Sequence, residues 1–136
     1  MTTPPNDRSR PLLTEAQIER TTANAERDAG APRALLGTYV VTSFESATSR
    51  RRLSATDVDQ IRRLGETAAE QGIELSRLLD LYLSATWRLS EAVTTGEHPP
   101  ADVGSWATAL LRAADDAAEA LGHGYEAAQR RTIRRE

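Results

Sequence analysis

The stretch Gly72–Val93, GIELSRLLDLYLSATWRLSEAV, constrains this chain more than any other. Leu75, Leu78, Leu79, Tyr82, Leu89 and Val93 fall at i, i+3, i+4, i+7, i+14 and i+18, which is one stripe of an α-helix. Leu81, Leu83 and Trp87 lie off that stripe, so the apolar face is wider than a surface helix needs. Such a helix is expected to be buried on more than one side, as the centre of an all-α domain.

The remaining chain supports helices and little else. Aromatic residues make up 4% and no long alternating Val/Ile/Thr run occurs, which argues against a β-rich fold. A length of 136 residues suits one domain. Residues 1–13, rich in Pro and polar side chains, read as a disordered leader, and 14–136 as the domain.

Helix boundaries are written locally. Thr14 with Gln17 forms a capping-box pattern ahead of a weakly apolar helix over Glu15–Asp28, closed by Gly30 and Pro32. A second helix is predicted from Pro32 to about Ser49, with Leu36, Val40, Ser43, Phe44 and Ala47 on one stripe. Ser54 and Asp57 cap a third, with Val58, Ile61, Leu64, Gly65 and Ala68 inward, ending at Gly72. The central helix follows, closed by Gly96 and Pro99-Pro100.

From about Asp102 the pattern changes to a heptad. Val103, Ala107, Leu110, Ala114, Ala117, Leu121, Gly124 and Ala128 alternate steps of four and three. Its small residues favour close helix approach, and Leu110, Ala114, Ala117, Leu121 and Tyr125 are the candidates for an interface should two copies of the chain pair. Gly122 and Gly124 each cost about 1 kcal/mol relative to Ala inside a helix, and are read as a kink or a break. The chain runs into QRRTIRRE without a cap, which predicts a helix leading onward to a C-terminal effector domain not contained here.

Several chemistries are disfavoured. There is no Cys, which excludes disulfides and thiolate chemistry. His98 lies in a Pro-rich turn and His123 between two glycines; both read as solvated. Asp115, Asp116 and Glu119 read as a solvated acidic face, and no phosphate loop, H-E-x-x-H or G-x-S-x-G is present, so an enzyme is not expected. No apolar run is long enough to span a membrane and no signal peptide is visible, which points to the cytoplasm. A net charge of −3 gives no general field for nucleic acid. All 17 basic residues are Arg, three of them consecutive at Arg50–Arg52. That run reads as the cationic end of a helix, with an acidic partner or a phosphate as the alternative.

Two binding readings stay open. Ala68, Gly72 and Leu78 have helix-turn-helix spacing, but the following helix offers Arg77 against Glu74 and Asp80, and its Leu, Tyr and Trp suit a core better than a DNA groove. Tyr39, Phe44, Tyr82, Trp87 and Trp106 are candidates for lining an internal small-molecule pocket.

LSATDVDQIRRLGETAAEQGIELSRLLDLYLSATWRLSEAV, with ALGHGYEAAQRRTIRRE, resembles the N-terminal sensory module of PucR-type transcriptional regulators of actinobacteria. That module is similar in turn to the non-haem globin domain of RsbR-type stressosome proteins. The resemblance covers about Leu53–Glu136. It implies a globin-like helical domain that dimerises and passes a signal through its last helix to an effector, without direct DNA contact. No cofactor is expected, because the central helix carries no His to ligate haem.

Overall fold

A computed structural model describes residues 10–135. The order is α1 (Glu15–Ala29), a 3-10 turn (Arg33–Leu36), α2 (Tyr39–Ser49), α3 (Ala55–Glu70), α4 (Leu75–Thr94) and α5 (Val103–Arg135). The fold is all-α, with five helices, no strand among the described residues and a long C-terminal helix. α5 packs on α2, α3 and α4, while α1 lies against α4. The organising element is therefore α5, not the α4 helix whose Leu density dominates the sequence.

The predicted caps form. The Thr14 hydroxyl accepts from the Gln17 N–H while the Gln17 side chain accepts from the Thr14 N–H, and Ser54 and Asp57 repeat this reciprocal pair. Gly30 closes α1 in the left-handed conformation, φ 64°. Asp102 holds the start of α5 by accepting the Ser105 N–H at 2.9 Å.

Three expectations are corrected. The helix expected from Pro32 to Ser49 is two pieces, because Gly37 takes φ 53°, ψ −126°, which no helix allows and which only Gly adopts without strain. The leader expected to reach residue 13 is docked at its end: Pro11 is buried, and Leu13 packs on the core. The leader's first nine residues lie outside the described part. α4 is covered on more than one side as expected, by α1 and α5, but the off-stripe Leu83 and Trp87 taken to widen its apolar face are 55% and 50% exposed.

The break expected at Gly122 and Gly124 is absent, and α5 runs through both. Gly124 instead lets two backbones meet. A Cβ placed there would stand 1.9 Å from the Arg62 carbonyl oxygen, and one on Gly65 would stand 2.4 Å from that of Leu121. α3 and α5 thus cross with a glycine from each helix against the other's main chain. A Cβ on Gly122 meets nothing within 4 Å.

The three glycines separate experimentally. Gly124→Ala and Gly65→Ala push the helices apart and destabilise by about 3 kcal/mol, the upper end of overpacking costs. Gly122→Ala stabilises by about 1 kcal/mol through helix propensity alone. Urea unfolding of the three variants reads this order; equal effects at Gly122 and Gly124 would refute the close crossing.

Candidate functional site

The aromatic residues singled out from the sequence do not converge on one cavity. Tyr39 and Tyr82 are core: their rings tilt at 44° with centroids 4.7 Å apart. The Tyr82 hydroxyl donates to the Leu35 carbonyl at 2.6 Å, tying the 3-10 turn to α4. The Thr86 hydroxyl donates back to the Tyr82 carbonyl at 2.7 Å, so its one proton is used and Tyr39 is the donor in the 2.7 Å contact with Thr86. Burial pushes the Tyr39 phenol up to about 12, and burial together with Tyr39 pushes Tyr82 up as well.

Trp106 is fully buried at the other end of the core, its indole N–H donating to Thr48 at 3.2 Å and its ring meeting Phe44 edge-on at 6.3 Å. Trp87 faces outward, with the Arg88 guanidinium 4.6 Å above its ring. Arg88 in turn grips Asp28 of α1, which also accepts from Ser84. The Arg88 hydrogen bonds, then that of Ser84, hold the Asp28 carboxyl below its usual range. The five aromatics are therefore two core pairs and a surface residue, because α2 and α4 bring Tyr39 and Tyr82 together while α5 carries Trp106 to the far end of α2.

The predicted dimer seam is also placed otherwise. Leu110, Ala114, Ala117 and Leu121 are buried within the chain, Leu121 with no exposure at all, and Tyr125 donates to the Ile73 carbonyl at 2.7 Å. A heptad stripe needs a partner surface, and here this chain supplies it, chiefly through α3. What α5 leaves outside is the adjacent flank. Leu111 is 65% exposed there, with Ala107 and Ala118 half-buried on the same side.

The Ala68–Leu78 turn is a hairpin within the core. The Ile73 N–H donates to the Ala68 carbonyl at 3.0 Å, Tyr125 of α5 holds the Ile73 carbonyl, and α4 buries Leu78, Leu81 and Tyr82. The second helix of the motif buries one face in the core and leaves Glu74, Ser76, Arg77 and Asp80 exposed, a surface with one basic and two acidic side chains. His98 and His123 are both exposed, and no cluster of His, Cys, Asp or Glu able to hold a metal occurs among the described residues.

Two concave features were not visible in the sequence. The first is a largely apolar cleft of about 260 Å³ between the 3-10 turn, the start of α2 and α3, lined by Leu36, Tyr39, Ile61 and Leu64 with Thr42 and Gln60 among its polar groups. The second is a basic cleft where the end of α2 faces the start of α5. Gly37, which opens the first, was legible as a glycine but not as a break.

With this geometry in place, the comparison with known families is decisive. The family model described as the RsbT co-antagonist protein rsbRD N-terminal domain matches residues 12–136. The chain belongs to that family. The rsbRD N-terminal domain is a regulatory, not a catalytic, domain family. No curated protein and no solved structure matches this rsbRD domain. None of its described helices is long and apolar enough to cross a membrane.

The raised tyrosine carries a pH dependence. Unfolded Tyr39 releases its proton near pH 10 and the folded phenol near 12, so its contribution is complete below pH 10 and is lost as pH rises from 10 to 12. The melting temperature is expected to fall over that interval. Tyr39→Phe lessens the fall without removing it, because Tyr82 is raised too, and costs about 1 kcal/mol at neutral pH by deleting the bond to Thr86.

Proposed function

We propose that this rsbRD N-terminal domain is a sensory and dimerisation module that transmits a signal through α5 to an effector following it. The supporting observation is the double role of α5. Its buried face, from Trp106 to Ala128, is part of the core, whereas residues 129–134 are exposed, with Ile133 71% exposed. A displacement of α5 caused within the domain is carried outward by one uninterrupted helix. The family description places such domains at the N-terminus of RsbT co-antagonist proteins, which agrees with a module whose output lies C-terminal to it. The effector is a stress-response domain on this reading, or the DNA-binding domain of a PucR-type regulator.

The homodimer is formed by the outward flank of α5 rather than by the predicted seam. Leu111, exposed with Ala107, Thr108 and Asp115 around it, is its anchor, and a two-fold contact would set each Leu111 against the other copy. Sedimentation of the wild type, Leu111→Glu and Leu121→Glu tests this. Leu111→Glu is expected to give a helical monomer, and Leu121→Glu to unfold because it buries a charge. A wild-type monomer at every concentration would overturn the dimer.

A second reading, a module for a small apolar ligand, is favoured by the cleft beside Tyr39. Its volume lies just below the roughly 300–1,000 Å³ of typical small-molecule sites. Ligand-dependent stabilisation lost in Leu64→Trp, which fills the cleft, would support it.

A further inference from the structure

The Arg50–Arg52 run does more than complement the end of α2. Arg50 itself ends the helix at φ 59°, ψ 32°, the only left-handed residue other than glycine among those described. A glycine would occupy this position without strain, yet the chain carries an arginine there. Its guanidinium donates to the Ala47 carbonyl and, through Nε, to the Ser105 hydroxyl of α5 at 3.0 Å. Arg52 is spent differently: it grips Asp116 through two hydrogen bonds, Nε to Oδ2 at 3.0 Å and a terminal nitrogen to Oδ1 at 2.5 Å.

Between these two contacts α5 presents Ser105, Ala109, Arg112 and Asp116 along one side, at i, i+4, i+7 and i+11. Arg112 therefore enters the same cleft as Arg50. The cleft, about 290 Å³, is lined by Arg50, Gly104, Ser105, Thr108, Ala109 and Arg112. A neighbouring cleft of about 60 Å³ shares Arg50, Ala109 and Arg112 with it and is also lined by Ser46, Arg51 and Arg52. Four arginines thus line the two neighbouring clefts; Asp116 pairs with Arg52, and Asp115 and Glu119 lie within electrostatic reach of that same arginine. Among the described residues neither Arg50, Arg51 nor Arg112 forms an ion pair. Asp102 is occupied at the start of α5 and does not line the cleft.

We propose that this cleft is a binding site for a small organic phosphate, with Arg50 and Arg112 as the paired guanidinium ligands and Ser105 and Thr108 as neutral hydroxyl donors. Guanidinium forks match phosphate oxygens two at a time, and hydroxyls complete the remaining lone pairs without adding charge. Its size, about 290 Å³, admits a phosphate with an organic substituent. Such a ligand bridges the end of α2 to the first turns of α5. It would bias the helix to which the proposed output is assigned, although the site stands independently of that output.

The test is thermal unfolding and calorimetric titration of the whole chain with pyrophosphate, glycerol 3-phosphate and inorganic phosphate, against chloride at equal ionic strength. Vesicles containing phosphatidylglycerol form a separate arm. Saturable binding of the soluble phosphates is expected, weakened at least tenfold by Arg112→Gln and by Arg50→Gly. The glycine variant keeps the backbone conformation, so circular dichroism should show both variants folded. No shift beyond that of chloride overturns the proposal, as does binding that both variants retain. Association with vesicles but with none of the soluble phosphates also overturns it, in favour of a membrane surface. Running the same titrations on Leu111→Glu keeps these outcomes apart from dimerisation, because Gly104 and Thr108 of the cleft lie beside Leu111 on α5.

Discussion

The main-chain contact between α3 and α5 is the constraint on which the rest of the packing depends. Gly65 and Gly124 remove the side chains that would hold the two helices a normal distance apart. Once the axes are that close, the small residues around the crossing, Ala117, Ala120 and Ala68, are large enough to fill the space beside it. The alanine-rich seam then makes sense as the composition required by a short interhelical distance. The Tyr125 hydroxyl, carried on the same stretch of α5, reaches the turn between α3 and α4 and fixes where α4 begins.

Electrostatics ties the periphery to this centre. Arg88 links α4 to Asp28 of α1, Arg52 links the α2–α3 connection to Asp116 of α5, and Arg131 links α5 to Glu66 of α3. Exposed pairs of this kind contribute at most about 1 kcal/mol each, so they orient elements that burial already holds. Because every cation is an arginine, each can form a planar two-point contact, and Arg52 and Arg88 both do. The Arg50–Arg112 cleft stands out against this pattern: there the guanidinium groups outnumber the carboxylates.

Local chemistry was legible and partnership was not. Thr14–Gln17 and Ser54–Asp57 could be read directly because a cap involves residues three apart. The helical class and the stripe of α4 followed from spacing alone. Spacing identifies an apolar face without saying whose surface covers it, so Leu110 and Leu121 looked like an interface between chains when α5 uses them within one. A glycine in a helix is equally consistent with a break and with a close approach; Gly124 is the second, and only the position of Arg62 decides it. Trp87 looked like core because size was taken for burial, whereas Arg88 covers it at the surface. The basic cleft needed Arg112, sixty-odd positions from Arg50, and no local pattern connects the two.

The paired glycines also limit how α5 can move. Sliding the helix along its axis by one turn would bring Ala120 or Ala128 to the place where Gly124 meets the Arg62 carbonyl, and a Cβ at that place would stand 1.9 Å from the oxygen. A piston-like stroke is therefore blocked by the backbone itself. What remains is a swing about the crossing, with the glycine notch as fulcrum, the turns near Ser105 as one arm and those beyond Ala128 as the other. For a rigid helix pivoting there, a displacement of its start would be a displacement of its far end in the opposite direction.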